Sequence, residues 1–137
     1  MSKVSFGAAN MANKPVHLKR LQARSKRLIV RRVARDTYVC ASKTRPSLQH
    51  VVTVEWRPDE SIHARCTCPW SVYGGFGCAH VMAVLRTIAD RQNKRISFWS
   101  THEEAERQHH RVLRLTGDGW DDIFISSRPQ PRKEDAA

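Results

Sequence analysis

With 137 residues, 24 Lys/Arg against 13 Asp/Glu and a net charge of +11, the chain is sized for one cored domain and charged for a polyanionic partner. It carries no charged-then-apolar leader and no long apolar run, so neither a signal peptide nor a membrane span is read, and a cytoplasmic protein is expected. Arg outnumbers Lys, a bias pointing to a GC-rich bacterial or phage genome.

The charge is unevenly placed. Residues 1–57 hold 13 Lys/Arg and 2 Asp/Glu, residues 58–95 hold 5 and 3, and residues 96–137 hold 6 and 8. The basic set is Lys14, Lys19, Arg20, Arg24, Lys26, Arg27, Arg31, Arg32, Arg35, Lys43 and Arg45, opposed only by Asp36. Such clustering is the electrostatic footprint of nucleic acid, because each cation neutralises a phosphate and releases a counterion.

Residues 1–14 are small and polar and read as a flexible end. Pro15 suits a helix start, and Val16–Ser25 predicts a short helix with Leu18 and Leu21 on one side. Lys26–Val33 fits two patterns. Leu18, Leu21, Ser25, Leu28 and Arg32 would continue a helical stripe, whereas Leu28-Ile29-Val30 and Thr37-Tyr38-Val39 are β-rich runs flanking a turn at Ala34–Asp36. Ser42–Ser47 is a loop. His50–Trp56 is the clearest strand, with His50, Val52, Val54 and Trp56 sharing one face. Pro58-Asp59-Glu60 turns the chain, and Ser61–Cys66 returns as a further strand.

That strand leads into Cys66-Thr-Cys68-Pro69, a short loop with Gly74, Gly75 and Gly77, and Cys78-Ala-His80. Three cysteines and a histidine so spaced match the ligand set of a structural zinc site. Residues i and i+2 of a strand share a face, so Cys66 and Cys68 can aim at one ion. The same spacing fails within a helix, so Cys78 belongs just outside the following helix and His80 in its first turn. These residues resemble the SWIM-type zinc finger, whose pattern is Cys-x-Cys, a variable spacer, then Cys-x-His. The Pro after the second Cys and the apolar helix after the His are similar too. The resemblance covers residues 26–92 at most. It implies a small zinc-bound domain that binds DNA or proteins. Such fingers occur in certain ATPases, transposases and recombination factors, which implies an accessory role in transposition, recombination or phage or mobile-element regulation. Strands commonly precede the Cys-x-Cys in similar proteins, which favours the hairpin over the helix for residues 26–39. With the two later strands it makes an antiparallel sheet of about four strands.

Ala79–Gln92 is the strongest predicted helix, with Val81, Val84, Leu85 and Ile88 at i, i+3, i+4, i+7. Ser100 with Glu103 and Thr101 with Glu104 are overlapping capping boxes, opening a helix expected to reach His109. Arg111–Thr116 and Asp122–Ser126 read as a hairpin, and residues 129–137 as a disordered tail.

Other residues favour plain roles. Trp70, Tyr73 and Phe76 are expected to shield the zinc thiolates rather than stack on bases. Cys40 has no partner at zinc spacing and reads as a small buried hydrophobe. His102, His109 and His110 lack a completing ligand and read as surface histidines, while His17, His50 and His63 are isolated. No phosphate loop, nucleophile elbow or open three-ligand metal site appears, so no enzyme and no small-molecule substrate are expected.

The expectation is thus an α+β fold: a small antiparallel sheet with a Cys3His zinc site and a packed helix, plus a C-terminal helix–β-hairpin appendage. The units are a flexible end at 1–14, a zinc-finger domain at 15–95, the appendage at 96–128 and a tail at 129–137. Zn²⁺ is held by Cys66, Cys68, Cys78 and His80. Nucleic acid, DNA by resemblance, is met by Arg20, Arg24, Lys26, Arg27, Arg31, Arg32, Arg86 and Lys94. The alternative is an adaptor that docks a protein partner, a larger nucleic-acid enzyme. No membrane contact is expected.

Overall fold

Strand alternation and helical periodicity resolve into a sheet curled around a helix in the computed structural model, which describes residues 14–68, 78–117 and 120–130. In chain order the elements are α1 (Lys14–Ser25), β1 (Leu28–Ala34), β2 (Thr37–Ser42), β3 (Gln49–Trp56) and β4 (Ser61–Cys66). Then come α2 (Ala79–Arg91), β5 (Lys94–Trp99), α3 (His102–Glu106), β6 (Arg111–Gly117) and β7 (Trp120–Pro129). Residues 26–39 are therefore the hairpin and not a helical continuation.

The sheet has seven strands in the order β1-β2-β3-β4-β6-β7-β5. The four strands expected before the Cys-x-Cys are β1 to β4, and the two of the expected hairpin join the same sheet, together with β5. β6 lies parallel to β4, with Ile62 opposite Leu115, and the other pairs are antiparallel. At the C-terminal end lie the short helix α3 and the strands β6 and β7, and these strands belong to the same sheet as β1 to β4. β5 is a strand that the sequence reading does not assign; its Phe98 is buried, and it closes the far edge by pairing with β7.

Helix α2 is the centre of the molecule. Val81, Met82, Val84 and Leu85 are each no more than 3% exposed. Burying side chains of this size is worth about 1.5–3 kcal/mol apiece. The helix packs against β1, β2, β3, β4 and β5, so the sheet curls around it and both edge strands touch it. Val52, Val54, Ile62, Leu115, Ile123 and Ile125 supply the opposing apolar face. Helix α1 packs on α2 and covers this core from the other side.

Lys14 departs from expectation. It belongs to neither a flexible end nor a basic surface: it is 7% exposed, and its Nζ donates to the Asp122 carbonyl at 2.7 Å, fastening α1 to β7. Of the two capping boxes, Thr101 with Glu104 forms. The Glu104 carboxylate also accepts from the Ser100 hydroxyl, which holds its pKa below the usual carboxylate range. α3 stops at Glu106 rather than His109, because Gln108 and His109 bond back three residues and His109 takes a φ of 57°. Of the expected tail, Pro129 closes β7 and the Gln130 amide donates to Asn93; the rest lies outside the described residues.

Candidate metal centre and basic groove

Strand pairing places the first two ligands. Val52 lies opposite Cys66, and the pairing continues beyond the end of β4: the Thr67 amide donates to Val51, and the Val51 amide donates to Thr67 Oγ1. Cys66 and Cys68 thus lie on one face, both buried. The other two ligands come from the start of α2. Cys78 is its N-cap, with extended backbone and a sulfur that accepts from the Val81 amide at 3.5 Å; His80 lies in the first turn. The ends of β4 and α2 therefore converge as the spacing predicts.

The ligand atoms of Cys66, Cys68, Cys78 and His80 lie within 4.8 Å of one another. Thiolates around a tetrahedral zinc with bonds of about 2.3 Å are separated by about 3.8 Å, so these four can share one ion. Two further features fit a metal. His80 Nδ1 is buried without a hydrogen-bond partner among the described residues, and a cation would satisfy such a nitrogen or fix its ring. The thiols crowd together: hydrogen bonding with Cys68 and burial hold the Cys66 thiol up at about 11, and hydrogen bonding with Cys66 and Cys68 holds Cys78 far above its ordinary range. Only a cation lets three such sulfurs ionise together. None of the four cysteines forms a disulfide.

Behind the ligands lies a layer that sequence reasoning missed. Cys40, opposite His50 across β2 and β3, is fully buried, and its thiol donates to the His80 carbonyl at 3.5 Å. Burial, then the neighbouring Cys66 and Cys68, push its pKa up to about 12. Continuing the β3–β4 register sets His50 opposite Cys68, and its ring stacks at a tilt against His80, centroids 4.5 Å apart. The available signal was register: His50 and Val52 share a face, and Val52 meets Cys66.

Beside the centre, a groove of about 340 Å³ is lined by Cys68, Cys78, His80, His50 and, from α1, His17, Arg20, Leu21 and Arg24. Positions 17, 20, 21 and 24 form one helical face, so α1 turns two arginines toward the finger. Arg20, Arg24, Lys26, Arg27 and Arg31 are exposed, and none has an ion-pair partner among the described residues. Arg32 is exposed but committed: its Nε and Nη2 donate to the carbonyls of Ala34 and Arg35, closing the β1–β2 turn. Arg86 and Lys94 are half-buried and line a different cleft together with Lys26. Trp70, Tyr73 and Phe76 lie outside the described residues. His102 meets Glu106 and the edge of Phe124, and His63 bonds Thr116.

No described helix is long and apolar enough to cross a membrane. Compared with known proteins, residues 50–89 match the family model of the SWIM zinc finger. No curated protein and no solved structure gives a match. The matched span runs from His50, which backs the site, through all four ligands and most of α2. Residues 50–89 are therefore similar to the SWIM zinc finger, lie within a larger sheet, and carry a Cys3His group positioned to bind a zinc ion.

Proposed function

We propose that this protein is a nucleic-acid-binding module with DNA as its partner, in which zinc fixes the fold and the N-terminal cations meet the phosphates. The observation that carries this reading is the groove in which Arg20 and Arg24 face the finger's ligands. Three thiolates around one Zn²⁺ leave the site formally −1, so the metal itself repels phosphate. Attraction must come from the arginines and from Lys26, Arg27 and Arg31 beyond them. With four protein side chains as ligands the metal keeps no place for water, and the reading assigns no catalytic residue. An accessory role in transposition, recombination or phage or mobile-element regulation fits a module of this kind. The setting is inside the cell.

Five exposed cations, without ion-pair partners among the described residues, neutralising about five phosphates give a log–log slope of affinity against salt near −4 to −5 on duplex DNA. Arg31→Glu should weaken all sequences alike and flatten the slope, with zinc content unchanged. Arg32→Gln should do much less, because its donors already serve the turn. A flat salt dependence in the wild-type protein would overturn the reading.

A second reading, a protein-docking adaptor, is favoured by one observation. Ile29, Val33 and Val51 are 51%, 47% and 39% exposed on the sheet face opposite α2. In that case DNA affinity is negligible at physiological salt, and Ile29→Ser with Val51→Ser abolishes capture of a partner.

A further inference from the structure

Because the sheet curls around α2, its two edges approach each other. Among the described residues β1 pairs only with β2 and β5 only with β7, and both touch α2. Between them runs a cleft of about 390 Å³, lined from the α1–β1 junction by Lys26, from α2 by Arg86 and Asp90, and from β5 by Lys94 and Arg95. It shares no residue with the groove beside the metal centre.

Four cations face one carboxylate here. Arg86 is the informative member. It rises from the third turn of α2, and its Nε is buried with no hydrogen-bond partner among the described residues. Asp90, one turn further on, is exposed and makes no ion pair with it among the described residues. Thr87 beside it has spent its hydroxyl on the Ala83 carbonyl. A buried donor on a charged group without an acceptor is costly, more so when other cations crowd it. Burial, against the opposing pull of Asp90, draws the Arg86 pKa below its ordinary value, and Arg95 adds to this. An oxygen-rich anion would supply the missing acceptor, and guanidinium flanked by lysines is the chemistry that holds phosphate.

We infer that the cleft between the β1 and β5 edges is a phosphate-binding site in which Arg86 supplies the buried donor and Lys26, Lys94 and Arg95 the surrounding charge. Two sources offer this chemistry: a small free phosphate compound, or a backbone phosphate of nucleic acid. The second source rests on the proposed function; the site itself does not.

The test uses zinc-loaded, ¹⁵N-labelled full-length protein. Inorganic pyrophosphate and, separately, a short duplex DNA are titrated at low salt while the Arg86 Nε–H and the Lys94 and Arg95 amides are followed by NMR. Saturable shifts at these groups are expected. Arg86→Gln and Lys94→Gln should each lower the affinity for pyrophosphate by roughly tenfold, the worth of one charge-assisted contact. Arg107→Gln, at the exposed end of α3 and outside both grooves, should leave it unchanged. Cleft shifts with pyrophosphate but none with DNA identify a free phosphate compound as the ligand. DNA binding that shifts only α1 and β1, with a silent cleft in both titrations, refutes the cleft and leaves the proposed function standing. A pyrophosphate response without any DNA affinity does the reverse. Wild-type pyrophosphate affinity in both variants would also overturn the assignment.

Discussion

Removing the metal tests whether zinc merely decorates this fold or is a condition of it. Structural zinc contributes about 10–16 kcal/mol in small domains. A domain's whole stability is about 5–15 kcal/mol. The chain has a larger core than an isolated finger, but the ligands sit inside that core: Cys66, Cys68 and Cys78 are 8%, 3% and 2% exposed and belong to the same cluster as Val52 and Val81. Cys78 also caps α2, the helix against which five strands pack. Without metal, three thiols and an orphaned imidazole are left buried where an ion should join them. Loss of the zinc contribution therefore brings the net stability close to zero. Cys66→Ser, which leaves three ligands, should cost several kcal/mol and lower the melting temperature by more than about 10 °C. The assay is metal analysis for one zinc per chain, followed by circular dichroism melts of wild type, chelator-treated wild type and Cys66→Ser. Cys40→Ala serves as control and should keep full zinc content. Zinc-free protein that melts within a few degrees of the loaded form would refute the reasoning.

Three further outcomes are expected. His50→Ala removes the ring that stacks on His80 and should weaken zinc retention by about tenfold in chelator competition. Ending the chain at residue 95 strips Leu115, Ile123 and Ile125 from the core, about 5–9 kcal/mol of burial, and bares the β4 edge; the 15–95 fragment should fail to give a cooperative melt. Glu104, held by Ser100 and Thr101, has a depressed folded pKa, so its contribution is present above the unfolded carboxylate range near 4 and is lost as pH falls through the lower folded value. Glu104→Gln should cost about 1 kcal/mol at pH 7 in a denaturant melt and remove that part of the acid dependence.

Local chemistry made most of the finger legible. Cys-x-Cys needs a strand and Cys-x-His needs a helix start, and the alternation of Val52 and Val54 fixed which face of β3 turns inward. Pairing between distant segments leaves no such trace. Nothing in Arg111–Gly117 says that it will lie parallel to β4, and Lys94–Trp99, with two cations and a serine among its apolar residues, lacks the pattern of an ordinary strand. Lys14 looked like one more surface cation because its acceptor, the Asp122 carbonyl, lies 108 residues away. His50 looked isolated for the same reason: its neighbours come from β2, the end of β4 and α2. The basic set was visible as charge, but its division into free cations, the turn-bound Arg32 and the cleft-lining Arg86 depended on side-chain geometry.

The parallel pairing of β4 with β6 also sets a timetable for synthesis. The ribosome delivers both ligand pairs by residue 80, yet β6, which must cover the outer edge of β4, begins only at Arg111. β5 is made earlier than β6 and β7 but has no strand to pair with until β7 arrives. A nascent chain therefore has its metal ligands together while Ile62 and one edge of the finger strand stay uncovered. Long-range pairing of this kind folds slowly and exposes strand edges to association with other chains. Early capture of zinc would hold the first four strands and α2 in register through that interval, so zinc supply during translation, and not only afterwards, should govern the yield of soluble protein.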